Sequence, residues 1–292
     1  PPSLATAPRP SPKPPVAARP TKLSVTDVEK LVRDPYALYA RRVLGLSRLE
    51  RPDERIDARA RGTAIHSAFE ALAAEWAELA PDAAAARFAT LYMDALRAEA
   101  APEALLAREA VLAERAGAWV AQMETARRRD RPTVLVEQAG ELKLGEVTLT
   151  CRADRLELVD GAVNVLDFKT GRVPTRKEIE LGFSPQLPLT AALLMHGGFP
   201  ELGPRRPGEL AYVRVSGREP AGVEDVRSDG AESAILAETA LQGLRDLLDR
   251  YADPAEPYRS RTAPRFQSER MSDTDHLARV REWSAADEGE EE

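Results

Sequence analysis

Hydrophobic residues recur at helical spacing through the first half of the chain. Ile65, Phe69 and Leu72 fall at positions i, i+4 and i+7, which predicts a helix with one face turned toward a core. Ser24, with Asp27 three residues later, predicts the N-terminal cap of an earlier helix. In this half the pattern predicts helices over residues 24–34, 36–44, 65–76, 82–99 and 103–129.

After Pro132 the period changes from 3.6 to 2, which predicts strands. Asp160-Gly161 between two alternating runs is typical of a tight hairpin turn. The predicted strands span residues 133–144, 147–158, 162–169 and about 209–215, with helices near 175–182, from Ser184-Pro185, over 231–251 and near 273–282. This order predicts an α/β domain in which helices flank a small mixed sheet, with an N-terminal helical portion.

The two ends of the chain differ from the rest in composition. Eight of the 23 prolines lie in the first 20 residues, so we expect residues 1–22 to be a disordered linker. Residues 287–292 form an acidic tail, and residues 23–286 are the predicted domain. A linker that opens Pro-Pro with no Met leads us to expect the C-terminal piece of a longer polypeptide.

The charge and the cysteine count exclude several classes of protein. The chain carries a net charge of −7, and the predicted domain alone carries −6, which excludes a strongly basic surface that wraps duplex DNA. The single cysteine, Cys151, excludes an internal disulfide and a zinc or iron–sulfur site built on several cysteines. No apolar run is long enough to span a membrane, so we expect a cytoplasmic protein with no membrane partner.

The hairpin turn allows a register to be worked out for its two strands. With Asp160 and Gly161 as the turn, Asp154 lies directly opposite Asp167, on a face that is apolar near the turn and polar at its far end. Opposed carboxylates repel and need a shared proton or a cation. Lys169 points to the same side and supplies part of the compensation, and a divalent metal would supply the rest. The alternative is a set of solvent-facing charges neutralised by Arg152 and Lys169, and a β-bulge would shift the register.

Four short motifs in a fixed order over residues 62–190 add a resemblance to this interpretation. Asp154, followed by Leu166-Asp167-Phe168-Lys169-Thr170-Gly171, resembles the active-site hairpin of the PD-(D/E)xK nuclease superfamily. Gly62-Thr63-Ala64-Ile65-His66 resembles the Gly-x-x-x-His motif of its RecB-like branch, and Pro185-Gln186-Leu187-Pro188-Leu189 resembles the Gln motif of that branch.

The flanking segments resemble one group within that branch. Residues 23–36 and 275–280 are similar to the C-terminal nuclease domains of AddB subunits, which belong to AddAB helicase-nucleases. The resemblance implies a restriction-endonuclease-like core at about residues 61–215. It also implies an AddA-type partner subunit that delivers single-stranded DNA, with cleavage of the unwound 5′-terminated strand during the processing of double-strand breaks.

The resemblance also implies roles for individual residues. Asp154, Asp167, His66 and the backbone carbonyl of Phe168 would be metal ligands. Lys169 would stand beside the attacking water, and Gln186 near a phosphate or the metal-bound water. Carboxylate and carbonyl oxygens suit Mg²⁺, and the imidazole makes Mn²⁺ competitive. Such a site would make the chain an exodeoxyribonuclease.

The chain departs from the family pattern at two positions. The Gln motif usually continues to a Tyr where this chain has Thr190, and related nucleases carry the first cysteine of an iron–sulfur cluster where this chain has Asp34. We therefore expect no iron–sulfur cluster and terminal segments that close by packing alone. The roles of Glu70 and Glu137 remain open between site and surface.

Two other functions compete with the nuclease hypothesis. The first is a catalytically silent scaffold or DNA-end clamp in the same complex, which Thr190 would support. The second is a nuclease that acts alone on RNA or on small phosphodiesters. Metal titration and cleavage assays distinguish these hypotheses.

Overall fold

The computed structural model describes residues 8–48, 58–80, 82–262 and 272–284. Its helices are α1 (Val25–Arg33), α2 (Pro35–Arg42), α3 (Ala58–Glu75), α4 (Ala84–Ala98), α5 (Glu103–Arg127), α6 (Arg176–Glu180), α7 (Gln186–Met195), α8 (Gly230–Ala252) and α9 (Val280–Trp283). Its strands are β1 (Lys22–Ser24), β2 (Thr133–Leu144), β3 (Val147–Val159), β4 (Ala162–Lys169), β5 (Arg206–Val215) and β6 (Gly222–Ser228).

The six strands form one mixed sheet, in which β3 pairs with three other strands. One edge of β3 pairs with β2 along its length, in antiparallel orientation. The other edge pairs first with β1, parallel, and then with β4, antiparallel. β4 runs parallel to β5, and β5 pairs antiparallel with β6. The expected α/β class, with a mixed sheet between helices, is confirmed.

Helices cover both faces of the sheet. On one face α1, α7 and α8 bury Leu31, Leu193 and Leu241 against the strands. On the other face α3, α4 and α5 bury residues such as Phe69 and Val120. We refer to these as the α7 face and the α3 face. Helices of the first half therefore supply the layer on the α3 face. The predicted apolar stripe that begins at Ile65 lies in this layer.

Most predicted elements agree with the structure to within a few residues. The capping box is present, since the Asp27 N–H donates to Ser24 Oγ at 3.0 Å and the Ser24 N–H donates to Asp27 Oδ2 at 3.2 Å. β1 and β6 were not predicted, because β1 has only three residues and β6 has charged residues at alternate positions. Residues 273–279 form turns, so the helix expected near 273–282 is limited to α9.

The segment expected to be a disordered linker is packed on the domain over its described part. Arg19 is buried, and its guanidinium donates to the carbonyl oxygens of Tyr251 at 2.5 Å and Asp253 at 2.9 Å, at the end of α8. A cation at a helix C-terminus also interacts favourably with the helix dipole. Pro12 accepts a hydrogen bond from the Tyr258 N–H at 2.9 Å. Residues 1–7 and the acidic tail, 287–292, lie outside the described residues.

Polar contacts as well as packing join the two terminal parts of the domain. The Asp34 carboxylate accepts from the backbone N–H of Ala37 at 3.3 Å and of Arg261 at 3.4 Å. Arg261 in turn pairs with the buried Asp275 at 2.6 Å. The terminal parts are therefore joined by hydrogen bonds and an ion pair in addition to packing. Within the described ranges, no helix is both long and apolar enough to cross a membrane.

Candidate active site

The polar end of the β3–β4 hairpin carries the candidate site. The predicted register holds for five residue pairs, from Val159–Ala162 to Arg155–Leu166. The ladder ends there, so Asp154 and Asp167 do not form the next ladder pair. Instead Asp154 Oδ2 accepts a hydrogen bond from the Phe168 N–H at 2.7 Å. The two strands separate at the point where their side chains become polar.

A break in the side-chain alternation of β3 explains this separation. Ala153 and Leu156 both belong to the core of the α7 face, although residues three apart on a regular strand point to opposite faces. The alternation must therefore shift by one residue between them. This shift leaves Asp154 directed toward α3, whereas Asp167 stays on the α7 face with Val165.

The neighbouring strand β2 shifts at the same level. Glu137 has a φ of +52°, which is uncommon for a residue with a Cβ, and the β2–β3 ladder skips it between Val136–Arg155 and Gln138–Ala153. Backbone irregularities of this kind re-aim side chains next to functional sites. Here the Glu137 carboxylate is brought to the same side as Asp154.

Helix α3 supplies His66, which joins Asp154 and Glu137 at this end of the sheet. Its buried stripe, which includes Ile65 and Phe69, packs on the sheet, and Phe69 stacks on Phe168 with ring centroids 3.9 Å apart. His66 borders this stripe with 32% of its side chain exposed. Its Nδ1 lies 3.4 Å from Asp154 Oδ1 and 3.8 Å from Glu137 Oε1. Burial alone would lower the pKa of His66, but the contact with Asp154 and the nearby carboxylates raise it above its ordinary value.

His66, Glu137 and Asp154 together form a candidate metal site. One donor atom from each lies within 4.8 Å of the others. Two carboxylates with one imidazole are a donor set that suits Mg²⁺ or Mn²⁺. The side chains are partly exposed to an open groove that Gly62, Thr63, Ser67 and Glu70 also line. The arrangement therefore fits the divalent metal that the motifs imply, with Glu137 as a donor that the sequence left open.

Asp167, Lys169 and Gln186 form a second, more buried group. Lys169 Nζ lies 2.6 Å from Asp167 Oδ2 and donates to Gln186 Oε1 at 3.1 Å, and Gln186 Nε2 donates to Asp167 Oδ1. Burial raises the pKa of Asp167 to about 6, against the opposing effect of Lys169. Burial would lower the pKa of Lys169, but the Asp167 carboxylate raises it, so the amine is held in its charged form.

The structure thus brings all the residues predicted for the site to one end of the sheet, in two linked groups. The hydrogen bond from the Phe168 N–H to the Asp154 carboxylate joins the two groups. The Asp154 and Asp167 carboxylates are close enough to interact electrostatically, and Asp154 contributes to the high pKa of Asp167. The metal-ligand roles of Asp167 and the Phe168 carbonyl stay predictions.

Residues whose roles were open now have positions. Arg152, which is 68% exposed, pairs with Glu137 at 2.6 Å. Glu70 is exposed and lines the groove one turn after His66. Thr190 is buried, and its Oγ1 donates to the Gln186 carbonyl at 2.9 Å, so its side chain packs inside the domain and does not face the groove.

Two neighbours of Lys169 were missed by the sequence analysis. Glu29 of α1 interacts electrostatically with Lys169, and burial raises the pKa of its carboxyl. The ring of Tyr212 lies 5.8 Å from Lys169 Nζ, and Tyr212 is the β5 partner of Asp167. Alternation along β5 could have suggested Tyr212, whereas nothing in the sequence of α1 sets Glu29 apart from the other charged residues of that helix.

Proteins of two Rickettsia species are similar to about two thirds of this chain. An uncharacterized protein of Rickettsia felis is 29% identical over 197 residues, which cover 62% of this chain and 22% of the relative. An uncharacterized protein of Rickettsia bellii is 28% identical over 229 residues, 69% of this chain and 26% of the relative. The chain thus spans about a quarter of the length of these curated relatives.

A solved structure from Eubacterium rectale, described as a candidate exonuclease, aligns with a TM-score of 0.48 and 13% identity, over 90% of this chain and 95% of that one. The family model of the PD-(D/E)XK nuclease superfamily matches residues 22–264. That match includes β1 to β6 and every residue of the two groups described above. The chain belongs to the PD-(D/E)XK nuclease superfamily.

Proposed function

We propose that this chain is a metal-dependent exodeoxyribonuclease that hydrolyses phosphodiester bonds of DNA with Mg²⁺, or with Mn²⁺ in its place. The observation that carries the proposal is the placement of three metal-ligand side chains within 4.8 Å of one another, beside a lysine held in its charged form. A charged amine next to an excess of carboxylates has the chemistry that a phosphodiester and a divalent cation require together.

Each residue has a definite task in this proposal. His66, Glu137 and Asp154 would hold the metal, and Asp167 would join them on the side of Lys169. When bound, a divalent cation supplies a water of lowered pKa and neutralises negative charge on the phosphate. Lys169 is held by Asp167 and Gln186 with 28% of its side chain exposed, so its ammonium can donate to a phosphate oxygen.

Features outside the site support a more specific setting. The flanking segments 23–36 and 275–280, which resemble AddB nuclease domains, support a place in an AddAB-type helicase-nuclease that processes double-strand breaks. In that setting an AddA-type subunit would deliver the unwound 5′-terminated strand in the cytoplasm. An acidic domain would then need no strong field of its own to capture DNA.

The test uses the helicase-nuclease complex that contains this chain, with Lys169→Ala or Asp167→Ala. Unwinding should continue, while cleavage of one strand should fall by at least about 100-fold, because the transition-state charge loses its stabilisation. Lys177→Ala, an exposed lysine on α6, is the matched control and should cut like the wild type.

Three outcomes separate the proposal from its competitors. Cleavage by Lys169→Ala that persists at the wild-type rate with Mg²⁺ present contradicts the catalytic assignment. A wild-type chain with no metal-dependent stabilisation and no cleavage indicates a silent scaffold or DNA-end clamp. Preference of the isolated chain for RNA over single-stranded DNA of the same sequence contradicts the DNA substrate.

A further inference from the structure

A second hollow adjoins the active-site groove. This cavity, of about 330 Å³, lies between α3, α4, α5 and the ends of β4 and β5. Thr170 and Gly171 line it directly after Lys169. Gly62 lines the groove, and a Cβ at Gly62 would lie 3.9 Å from Thr170 Oγ1, so the groove and the cavity meet between these two residues. A strand that crosses the active site along α3 would reach the cavity next.

The cavity carries a local surplus of positive charge. Four arginines line it, together with the carboxylates of Glu109 and Glu219; the arginines are Arg61, Arg172, Arg214 and Arg218. The chain as a whole carries a net charge of −7, so this surplus is a feature of the cavity and not of the general surface. We call this cavity the arginine pocket.

Two of the four arginines are already paired. Arg61 Nη2 lies 2.7 Å from Glu109 Oε1, and Glu109 also accepts a hydrogen bond from Tyr92 Oη at 3.0 Å. Arg172 forms two hydrogen bonds with Glu178, at 3.0 and 2.6 Å. These pairs form the wall of the pocket and leave little charge for a ligand.

The other two arginines have no acidic partner among the described residues. Arg214 is the β5 partner of Lys169 in the sheet, and Arg218 is exposed in the turn that follows β5. Positive charge therefore continues from Lys169 across the end of the sheet to Arg218. Guanidinium groups without a carboxylate partner are suited to bind phosphate, which they can contact with two parallel hydrogen bonds.

Close backbone contacts fix the turn that carries Arg218. A Cβ at Gly217, where φ is +64°, would overlap the carbonyl oxygen of Leu112 on α5. A Cβ at Gly222 would overlap the ring of Trp119 on the same helix. The β5–β6 turn therefore packs directly on α5, and Arg218 is presented at the pocket by a constrained backbone. Such preorganisation lowers the cost of ordering a binding group.

We propose that the arginine pocket binds the phosphate backbone of a single nucleic-acid strand next to the phosphodiester that is cut. Arg218 contacts a phosphate at the pocket, and Arg214, which shares the face of Lys169 on β5, contacts the next phosphate toward the active site. Apolar wall residues such as Ile65, Leu112 and Val215 contact the sugar or base. The proposal rests on the nuclease function proposed above, since the pocket is assigned to the same strand that occupies the active site.

The first experiment measures binding with the full chain in the absence of divalent metal. A fluorescently labelled single-stranded oligodeoxynucleotide is titrated with the wild type and with Arg214→Gln/Arg218→Gln. The Kd should rise at least about 10-fold in the variant, and the slope of log K against log salt should fall by about 1.4, since each lost phosphate contact contributes about 0.7. Arg245→Gln, an exposed arginine of α8 on the opposite face without a partner among the described residues, should leave both values unchanged.

A second variant changes the charge in the opposite direction. Glu219→Gln removes a carboxylate that lines the pocket, so it should tighten binding by about 2-fold to 3-fold. With Mg²⁺ present, the double arginine variant should raise the KM for the oligonucleotide and leave kcat within about 2-fold, which is the pattern expected when uniform binding is lost. Hydrolysis of a small aryl phosphodiester, too short to reach the pocket, should not change.

The outcomes decide the pocket and the nuclease function separately. A wild-type chain that does not bind the strand, or a double arginine variant with the wild-type Kd and salt slope, overturns the pocket. An equal loss for Arg245→Gln overturns it as well, because binding is then a property of the general surface. A wild-type chain that binds but cuts nothing with Mg²⁺ or Mn²⁺ overturns the nuclease function and leaves the assignment of the pocket standing.

Discussion

Two clusters of charged side chains meet at consecutive residues of β3. Asp154 belongs to the open cluster, which also contains His66, Glu137, Asp167 and Lys169. Arg155 belongs to the closed cluster, with Glu124, Glu157 and Arg127. One cluster faces a groove, whereas the other lies between the sheet and α5.

The clusters differ in how completely their charges are matched. In the closed cluster Arg155 is about 1% exposed, pairs with Glu124, and donates to Glu157 at 2.7 Å, while Arg127 lies 2.8 Å from Glu157. Although burial alone would raise it, the pKa of Glu124 is lowered by Arg155. In the open cluster the three carboxylates pair with groups that are partly buried or exposed, namely His66, Arg152 and Lys169, and burial raises the pKa of Asp167. The closed cluster is enclosed and paired within the fold, whereas the open cluster faces the groove in which the metal is proposed to bind.

The largest expected effect comes from breaking the closed cluster. Arg155→Met keeps most of the side-chain volume but leaves the buried carboxylates of Glu124 and Glu157 without their main partner. The free energy of unfolding should fall by about 3–5 kcal/mol. Urea denaturation of the metal-free chain measures it, with Arg245→Met as the control. A loss of less than about 1 kcal/mol would show that the closed cluster does not stabilise the fold.

The second effect should appear only in the open cluster, on addition of metal. Mn²⁺ at about 100 times its Kd should raise the free energy of unfolding by about 2.7 kcal/mol, because it binds the folded chain alone. Glu137→Gln should remove most of this gain, and Glu141→Gln, an exposed glutamate on the same strand, should keep it. Equal stabilisation of the two variants would exclude Glu137 as a ligand.

The third effect is a pH dependence of stability. It tests the raised pKa of Asp167 in the open cluster, which contrasts with the lowered pKa of Glu124 in the closed cluster. Asp167 has a folded pKa of about 6 against an ordinary value of 3.8, so the folded chain binds this proton more tightly than the unfolded chain does. Without metal, the contribution of this group to stability should be fully present below about pH 4 and be lost as the pH rises through about 6. When the pH is lowered from about 7 to about 4, the wild type should gain about 1–2 kcal/mol of stability relative to Asp167→Asn, measured by urea denaturation at each pH. A wild-type gain no larger than that of Asp167→Asn would mean that Asp167 is not a strained carboxylate.

The smallest effect is expected at Thr190, which lies next to the open cluster but outside it. Thr190→Val removes the hydrogen bond to the Gln186 carbonyl inside α7 and keeps the shape of the side chain. Stability should fall by about 0.5–1.5 kcal/mol, while kcat/KM on single-stranded DNA stays within about 2-fold. A 10-fold loss of kcat/KM in a folded variant would give Thr190 a direct role at the substrate.

The sequence was sufficient for the fold class and for most of the β3–β4 hairpin. The Asp160-Gly161 turn fixes the pairing of the strands because a two-residue turn permits one register, and five predicted pairs are present. The short β1 and the charged β6 carry too little hydrophobic pattern to be predicted from alternation. The docking of Arg19 depends on carbonyl oxygens more than 200 residues away, which no local pattern reveals.

The candidate site was only partly predictable for a different reason. Spacing and motif placed Asp154, Asp167, Lys169 and His66 at one end of the sheet. The paired irregularity at Glu137 and Asp154 depends on the packing of two strands against both helical layers, so alternation alone put Asp154 on the wrong face. For the same reason Glu137 could not be separated from a surface residue.

The adjacency of Asp154 and Arg155 has a consequence for how the sheet assembles. If β3 were to slip by one residue, Asp154 would take the place of Arg155 beside Glu124 of α5, and Arg155 would leave Glu124. Carboxylates would then be buried against carboxylates, and the misaligned sheet would be strongly disfavoured. The boundary between the two clusters therefore also favours the native register of β3 during folding. Only in that register does each charge have an acceptable environment.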